Sequence, residues 1–412
     1  MENRELRNME NNELIPMDNR DYLNILVLGN SGAGKSTLIK AISGKEIPTG
    51  VGEGNTQKIS VYESDTWPFR LIDTKGFEFN ILAQMDTIRQ VKKYTKAQVK
   101  NADFNNRNQG IDVVWYCVEG TSRRAFTANI EMMNQSIRGW KNIPVFAVIT
   151  KSYSQKDIES NQKAIALAFA RGKKVNLQDV IPVVAAPYEI NDELVVPVSG
   201  IERLCRETLE CTELAKDIKK ENLDRMVLEQ RRFTANTYVA GATVAAAAIG
   251  IAPINTIHDA ALLVPLETGL TTRILKTYNV NSTNDLIAGI VGSAAVTNVA
   301  KFAVGQLKTI PNIAGNVANA IVAGVVVAAL GESVIAVSEA IYKGTIDPAK
   351  TEEVINYVQQ KISKSPQLQK IFTYIESHPE VLKHFKADDI FKIIVKAVSQ
   401  KSEMPDNKSK SE

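Results

Sequence analysis

A glycine-rich segment near residue 30 has the residue types and spacing of a phosphate-binding loop. The stretch LGNSGAGKSTLIK fits the pattern G-x-x-x-x-G-K-[ST], with Gly29, Gly34, Lys35 and Ser36 at the fixed positions. In such a loop, backbone N–H groups and a helix N-terminus surround one anion. The lysine adds a positive charge for the β- and γ-phosphates, and the serine offers a hydroxyl to Mg²⁺. The predicted phosphate contacts are Gly29, Asn30, Ser31, Gly32, Ala33, Gly34, Lys35, Ser36 and Thr37.

The residues on either side of the loop predict the elements that position it. Residues 24–28 form an apolar run that is typical of a buried parallel strand, and residues 36–42 carry apolar side chains at helical spacing. This strand–loop–helix order is the context that the phosphate-binding pattern requires. The alternative, a glycine turn without a ligand, is therefore disfavoured.

Two further segments supply candidates for contacts with a metal ion and a γ-phosphate. PFRLIDTKGFEFN places Asp73 at the end of an apolar strand, with Gly76 three residues later. An acid there can orient Mg²⁺, usually through water, and the glycine N–H can meet the γ-phosphate. Upstream, a glycine-rich segment ends at Thr56, before a predicted strand over residues 58–62. A threonine that holds Mg²⁺ only while the γ-phosphate is present makes a switch. Thr49 is the second candidate, and a plain strand-start residue is the alternative for Thr56.

Together these motifs resemble the translation-factor-like GTPases, in the branch that contains Era, septin-like and related bacterial G proteins, over roughly residues 22–205. The resemblance implies a doubly wound, mostly parallel α/β sheet, GTP and GDP as ligands, Mg²⁺ as cofactor, and hydrolysis of GTP. The residues that match the family's catalytic positions are Lys35, Thr56, Asp73 and Gly76, and the implied metal ligands are Ser36, Thr56 and Asp73.

The residue after Gly76 departs from the pattern of this family. Phe77 stands where Ras-like enzymes have a glutamine that orients the attacking water. Because Phe77 cannot hydrogen-bond a water, we expect slow intrinsic turnover, or dependence on a group from a partner or from a second copy bound through the G domain. Glu78 is a disfavoured substitute, since an acid near a γ-phosphate costs electrostatic energy.

The predicted base pocket departs from the family pattern as well. In PVFAVITKSYSQKD, Thr150 and Lys151 match [NT]-K-x-D, but Tyr153 stands where the guanine-reading acid belongs. Asp157 lies four residues further on and reaches back only if the loop folds over. The Lys151 stem can pack over a purine face. Downstream, IPVVAAPYE predicts another buried strand, with Ala185 where the family closes the pocket. We therefore expect GTP to be preferred over ATP, but less sharply than with the full motif.

Between these motifs lies GIDVVWYCVEGTSRR, which predicts a strand. Trp115 and Tyr116 are interpreted as core residues. Arg123 and Arg124 follow at the edge where doubly wound sheets bind ligands, although a solvated loop is the favoured interpretation. Residues 84–108 predict a helix and loop that form a contact surface.

The second half of the chain differs in kind. Residues 201–232 predict one charged helix, and residues 233–344 are rich in alanine and glycine with helical patterning. The runs APINTIHDAALLVPLETGL and TIPNIAGNVANA and the pair Gly331-Glu332 resemble the helical domain of the YcjF-like group of bacterial GTPases. That resemblance implies an all-α domain. For the His258-Asp259 pair, a helix N-cap at Asp259 is favoured over a catalytic role.

Two uncharged stretches, residues 234–257 and 309–331, are as long as the ~20 residues that a membrane span needs. Both consist mostly of small residues and contain asparagine or proline, and only the larger aliphatics favour insertion strongly. One predicted helix face, made of Asn316, Ala320, Gly324 and Ala328, allows close helix contact in water or lipid. A soluble bundle, membrane-docking helices and true spanning all stay open.

The overall organisation follows from these segments. We predict a polar tail (1–20), a G domain (21–205), a connecting helix (206–232), an Ala/Gly-rich helical domain (233–345), short amphipathic helices (346–403) and a second tail (404–412). With 49 Lys and Arg against 46 Asp and Glu, and no basic patch interleaved with aromatics, nucleic acid is not an expected partner. The three cysteines lack metal-ligand or disulfide-like spacing, and the N-terminus lacks a secretion signal, so we expect a cytoplasmic protein. Association of its helical domain with a membrane surface stays open.

The predicted function is a slow GTPase switch whose nucleotide state controls the helical domain, at a membrane or in self-assembly. The alternative is a nucleotide-dependent binding module, such as a ribosome- or RNA-associated factor.

Overall fold

The computed structural model divides into two units, with the boundary between Arg231 and Arg232. Below, the sheet unit is the part before this boundary and the helical unit is the part after it. The structure describes residues 22–45, 47, 60–73, 111–121, 130, 143–171, 175–190, 195–212, 214–218, 220–252, 256–308, 313–363, 366–383 and 385–399. The predictions for Thr49, Thr56, Gly76, Phe77, Glu78, Arg123, Arg124 and residues 84–108 lie outside the described residues.

A mostly parallel sheet forms the centre of the sheet unit. Its described strands run in the order β2-β3-β1-β4-β5-β6, and only the β2–β3 pair is antiparallel. The strands are β1 (Leu23–Leu28), β2 (Ser60–Glu63), β3 (Phe69–Asp73), β4 (Val113–Glu119), β5 (Pro144–Thr150) and β6 (Asn176–Pro182), with a separate pair β7 (Tyr188–Glu189) and β8 (Val195–Val196). Every residue of β1 is buried, as expected for a central strand covered on both faces. The predicted fold class is confirmed.

The strand predicted over IPVVAAPYE is placed too late. The structure has β6 over Asn176–Pro182, and after it a single bridge pairs Val184 with Ser199. Pro182 has no N–H to donate to a ladder, which favours a strand end there. The first half of β6 is polar because β6 is an edge strand with partly exposed residues, so its composition did not indicate a strand.

Helices of the sheet unit flank the sheet and lead out of it. They are α1 (Lys35–Ser43), α2 (Gln155–Arg171), α3 (Ile201–Glu210), α4 (Leu214–Asp217) and the first part of α5 (Lys220–Ile251). The prediction of one charged helix over residues 201–232 is therefore wrong. The Thr212 hydroxyl donates to Leu209 O, and the Cys211 N–H bonds to Glu207 O. These local bonds close the last turn of α3 and compete with continuation of the helix.

The helical unit contains the rest of α5 and a series of packed helices. These are α6 (Thr256–Thr277), α7 (Asn284–Val291), α8 (Ala294–Leu307), α9 (Gly315–Tyr342), α10 (Thr351–Ser363), α11 (Pro366–Ser377), a 3₁₀ turn (Pro379–Leu382) and α12 (Ala387–Ser399). Helix α9 is buried over most of its length and forms the centre of this unit. Its hydrophobicity on all sides is typical of a core helix. The short C-terminal helices, with prolines at the starts of α11 and of the 3₁₀ turn, agree with the sequence.

Small residues bring helices of this unit close together, as the pattern on α9 predicts. A side chain at Gly250 of α5 would come within 2.7 Å of the Ala320 backbone, and one at Gly324 would meet Ile390 of α12 at the same distance. A side chain at Gly331 would collide with Val239 of α5. The face containing Ala320 and Gly324 therefore contacts protein.

The N-cap prediction for Asp259 is wrong, because α6 begins at Thr256 and already includes residue 259.

Three described helical segments are long and apolar enough to cross a membrane, judged by length and composition only. They are Lys220–Ile251, Asn284–Leu307 and Gly315–Tyr342. The most apolar window of the last segment is 83% buried within the protein, whereas that of the second is 38% buried.

Candidate nucleotide-binding site

The phosphate-binding loop joins the end of β1 to the start of α1. Gly29, Gly32 and Gly34 all have positive φ angles, of 147°, 80° and 77°. At Gly29 a side chain would also lie 2.5 Å from the carbonyl oxygen of Cys117, on β4. The N-cap of α1 is Gly34, which has no side chain to cap the helix, so the first N–H groups of α1 remain for a ligand. The required glycine spacing thus has a direct geometric cause.

The Lys35 ammonium group lies within the loop. Its Nζ donates to Gly29 O at 2.8 Å and to Asn30 O at 3.0 Å, and the side chain is buried. Burial lowers the pKa of Lys35, and the nearby Asp73 carboxylate acts in the opposite direction. The predicted phosphate-binding loop therefore surrounds the Lys35 ammonium group, which two hydrogen bonds hold in place.

Asp73 lies at the same edge of the sheet as the loop. It is the last residue of β3, its backbone pairs in parallel register with Val27 of β1, and it is buried. The predicted metal ligand Ser36 lies in the first turn of α1 and is half-buried, as is Thr37. The predicted ligands Ser36 and Asp73 therefore flank Lys35 on adjacent elements.

Ser36 and Asp73 fit the Mg²⁺ ion that the family resemblance implies. Among the described residues there is no cluster of three or more His, Cys, Asp or Glu that could hold a metal alone. Mg²⁺ commonly binds one or two carboxylates together with substrate phosphates and water, and does not need such a cluster. One acid and one hydroxyl beside a phosphate loop match that requirement.

Thr150 connects the loop to the end of β5. Its Oγ1 donates to Ala33 O at 2.7 Å and lies 3.2 Å from Val118 O, and the residue is 2% exposed. A side chain at Gly34 would contact Thr150 at 3.3 Å. Thr150 therefore acts on the loop backbone, and this buried bond ties the end of β5 to the loop.

Lys151 follows in a left-handed conformation, with φ of 52°. Its Nζ lies 2.6 Å from Oε1 of Glu119, the last residue of β4. The hydrogen bond from Lys151 lowers the pKa of Glu119. About a third of each side chain is exposed, so the pair orients Lys151 more than it stabilises the fold.

Tyr153 occupies the position of the expected acid and stacks on Tyr188 of β7. The ring centroids are 3.8 Å apart and the planes differ by 7°. Asp157 lies in the first turn of α2, and Ala185, half-buried, follows the Val184–Ser199 bridge. Burial raises the pKa of Tyr153, so it offers a neutral hydroxyl at this end of the site.

Three residues of this region were not predicted as site residues. Glu119 and Tyr188 reach the base end only because β4, β5 and the segment after β6 are neighbours in the fold, and no local pattern indicates this. Cys117 lies beneath the loop, and burial raises the pKa of its thiol to about 12. The fit of G-x-x-x-x-G-K-[ST] to residues 29–36 did not reveal what packs under it.

Comparison with known proteins finds a protein family that resembles the part of the chain with this geometry. Residues 24–151 match the family model of the 50S ribosome-binding GTPases. This match covers β1 to Lys151 and so includes the loop, Asp73 and Thr150. Over these residues the chain is therefore similar to P-loop GTPases. The match does not include the helical unit, and the YcjF-like resemblance of that unit stays a prediction.

Individual relatives each match a part of the chain. The Probable GTP-binding protein EngB of Pyrococcus horikoshii is 28% identical over 201 residues, which are 46% of this chain and 82% of that protein. The protein of the same name from Methanococcus maripaludis is 40% identical over 55 residues, 13% of this chain and 23% of its own length. A crystal structure of a probable GTP-binding protein engB is 22% identical with a TM-score of 0.31, and covers 47% of this chain and 99% of that chain.

Proposed function

We propose that this protein is a magnesium-dependent GTPase with a low intrinsic rate, and that its nucleotide state controls its helical unit. The observation that carries the proposal is the phosphate loop, in which three left-handed glycines and a buried lysine surround the N-terminus of α1. The proposed location is the cytoplasm, where Cys117, Cys205 and Cys211 stay free thiols.

In this proposal the chain's own residues bind and orient the triphosphate. Loop N–H groups hold phosphate oxygens, and Lys35 neutralises charge that develops on the β- and γ-phosphates. Ser36, Asp73 and Thr56 hold Mg²⁺, which neutralises phosphate charge when bound. Gly76 provides an N–H to the γ-phosphate. Since Phe77 cannot orient a water, hydrolysis is slow until another group enters the site, from a partner or from a second copy.

For the base we propose guanine, recognised in a different way from that of the complete family motif. Lys151 is held by Glu119 and can cover one purine face. We propose that Ala185 closes the pocket. Tyr153 replaces the acid that would accept hydrogen bonds from guanine. We therefore expect GTP to compete better than ATP, by a smaller factor than in relatives with the complete motif. Equal or stronger competition by ATP would remove the protein from the GTPase class.

The helical unit is the proposed output, acting at a membrane surface or in self-assembly. It exposes large apolar side chains on several helices, a property that marks interaction surfaces when they are contiguous. They are Phe233, Leu262, Val264, Phe302, Val304, Phe391 and Val395. The test is hydrogen exchange of α5 and α9 with GDP and with a non-hydrolysable GTP analogue, with and without liposomes. The same protection in all four states would leave the unit a passive attachment.

The nucleotide site itself is tested with Lys35→Ala. We expect GTP affinity to be lost, because the loop loses its cation while Gly29, Gly32 and Gly34 keep its backbone. Calorimetry measures the binding, and circular dichroism checks the fold. Lys40→Ala is the control, since it removes an exposed lysine from the same helix. Wild-type affinity in the Lys35 variant would show that the site is assigned wrongly.

Turnover is tested separately from binding. Asp73→Ala and Thr56→Ala should reduce Mg²⁺-dependent hydrolysis by about 100-fold or more, on the scale of losing a charged group that acts in the transition state. Phe77→Gln should not reduce it, because Phe77 has no polar role. Single-turnover hydrolysis with saturating GTP makes the comparison. A collapse of activity in the glutamine variant alone would contradict the assignment.

A second candidate function is nucleotide-dependent binding to the large ribosomal subunit. The description of the matched family model, 50S ribosome-binding GTPase, favours it. Cosedimentation of the full chain with 50S subunits, with GDP and with a GTP analogue, separates the two candidates. GTP-dependent cosedimentation supports ribosome binding, and its absence together with liposome binding supports the membrane output.

A further inference from the structure

Helix α5 is tied to the nucleotide-binding part of the sheet unit through one buried glutamine. The Trp67 indole Nε1 donates to Gln230 Oε1 at 3.0 Å, and Gln230 Nε2 donates to Ala41 O at 3.1 Å. Trp67 is fully buried and Gln230 is 3% exposed. In an interior of low dielectric, such bonds are costly to break and hold their partners in one geometry.

The two partners of Gln230 both lead to the nucleotide site. Ala41 lies in the last turn of α1, and the opposite end of this helix carries Lys35 and Ser36. Trp67 lies in the turn between β2 and β3, and the opposite end of this hairpin is the Ser60–Asp73 pair. Thr56 precedes β2 by four residues in the sequence, and Gly76 follows β3 by three. The hairpin therefore connects the two segments predicted to contact Mg²⁺ and the γ-phosphate.

A second buried hydrogen bond joins the β2–β3 hairpin directly to α1. The Ser64 hydroxyl, in the hairpin turn, donates to Ile42 O of α1 at 2.7 Å. The end of α1, the hairpin turn and α5 thus form one polar cluster, far along each element from the phosphates. Among the described strands β2 lies at an edge of the sheet, next to β3, so we expect the hairpin to shift more readily than the central strands.

The residue after Gln230, Arg231, forms an ion pair with a different element, α3. Arg231 Nε lies 3.0 Å from Glu202 Oε2, on α3, and its side chain is 8% exposed. Two consecutive residues of α5 are therefore bound to two different parts of the sheet unit. A shift of the hairpin relative to α3 would act on α5 at this point. Helix α5 continues without a break past Arg231 to Ile251.

We propose that Gln230 is a positioning residue of the nucleotide site, which reports the position of the β2–β3 hairpin and α1 to helix α5. This inference rests on the proposed function, because it needs a γ-phosphate that displaces the hairpin. Through linkage, a bond that differs between the two nucleotide states must change the relative affinity for the two nucleotides when it is removed.

The experiment measures affinities of the full-length protein for GDP and for a non-hydrolysable GTP analogue. Gln230→Leu removes both bonds while keeping similar volume. Gln230→Glu keeps an acceptor for Trp67 but removes the donor to Ala41. Trp67→Phe removes the indole donor. We expect Gln230→Leu and Trp67→Phe each to change the ratio of the two dissociation constants by about fivefold or more, the lower range of allosteric coupling. The double variant should add no further change.

A second buried indole bond among the described residues offers a matched control. Trp115 Nε1 donates to Thr208 Oγ1 of α3 at 2.9 Å, and both residues are fully buried. Thr208→Val removes a bond of the same kind that does not involve the hairpin. We expect this variant to lose stability but to keep the affinity ratio within about twofold of wild type. A purely structural role of Gln230 would produce that same pattern.

A spectroscopic readout follows Trp67 itself. The chain has three tryptophans, so 5-fluorotryptophan labelling gives three ¹⁹F signals, and Trp67→Phe assigns one of them. We expect the Trp67 signal to move between the GDP and GTP-analogue states, and to move less in Gln230→Leu. An unmoved Trp67 signal with an unchanged affinity ratio overturns the inference while leaving GTP binding intact. Failure of the wild-type protein to bind either nucleotide overturns the proposed function as well.

Discussion

Several buried hydroxyl and amide groups are hydrogen-bonded differently in the two units. In the sheet unit, Thr150, Ser64 and Gln230 bond to backbone carbonyls on other elements, far away in the sequence. In the helical unit, the buried hydroxyls of Thr243, Thr271 and Ser293 find no hydrogen-bond partner among the described residues. Ser333 and Ser338 bond only to carbonyls of their own helix.

The hydrogen bonds in the sheet unit hold its interior in one arrangement, whereas those in the helical unit do not. Long-range bonds to particular carbonyls fix one arrangement of strands, loop and helices, as a nucleotide site requires. Unpaired hydroxyls each cost about 1–3 kcal/mol and fix nothing. Contacts between small residues, as between Gly250 and Ala320, are shallow as well. A unit held in this way can change its packing at lower cost, which agrees with the proposed role as an output.

Thr150→Val gives the largest expected effect. It tests whether a long-range hydrogen bond holds the nucleotide site of the sheet unit in one arrangement. The variant leaves Ala33 O without its donor and should lower the free energy of unfolding by about 1–3 kcal/mol. GTP affinity should fall about tenfold or more, because Ala33 belongs to the phosphate loop. Calorimetry and thermal melting measure the two effects. Thr208→Val should lose stability alone, and an equal loss of affinity there would show that the bond to Ala33 has no special role.

The next prediction concerns Glu267 of α6, which is 5% exposed and, among the described residues, has no hydrogen-bond or ion-pair partner. Burial raises the pKa of Glu267 from 4.5 to about 7. Because the unfolded chain releases this proton at lower pH than the folded chain, stability contributed by Glu267 falls as the pH rises from about 5 to about 7. It levels off above pH 8.

Glu267→Gln removes this pH dependence. We expect the variant to gain on the order of 2 kcal/mol over wild type at pH 8 and much less at pH 5. Hydrogen exchange in α6 at both pH values measures the local free energy of opening. Glu352→Gln, which removes an exposed carboxyl group from the same unit, is the control. A gain at pH 8 that is no larger than at pH 5 would mean that Glu267 is solvated or paired in solution.

The sequence could predict the phosphate end of the site because glycine and lysine are dictated there by local backbone geometry. Gly29 cannot carry a side chain against Cys117, and the pattern records that requirement without showing its cause. The central parallel strands were predictable for a similar reason, since burial on both faces requires unbroken apolar runs.

The base end and the polar cluster at Gln230 could not be predicted. Glu119 and Lys151 meet because β4 lies beside β5, and Gln230 meets Trp67 across 163 positions of sequence. Such pairings depend on tertiary neighbours and leave no periodic signal. The break after α3 was missed because it comes from local side-chain bonds such as that of Thr212, within a stretch whose composition favours helix.

The smallest expected effect compares two adjacent threonines of α6. Thr271 is fully buried and its hydroxyl is unpaired among the described residues, whereas Thr272 donates to Thr268 O at 2.7 Å. Thr271→Val replaces an unpaired hydroxyl by a methyl group of similar size, so we expect a gain of about 1 kcal/mol. Thr272→Val should be neutral or destabilising, because it removes a made bond. Both changes keep a β-branched side chain, so helix propensity is nearly the same. Thermal melting with hydrogen exchange in α6 compares them. A loss of stability in Thr271→Val would show that its hydroxyl has a partner, and the helical unit would then be as specified as the sheet unit.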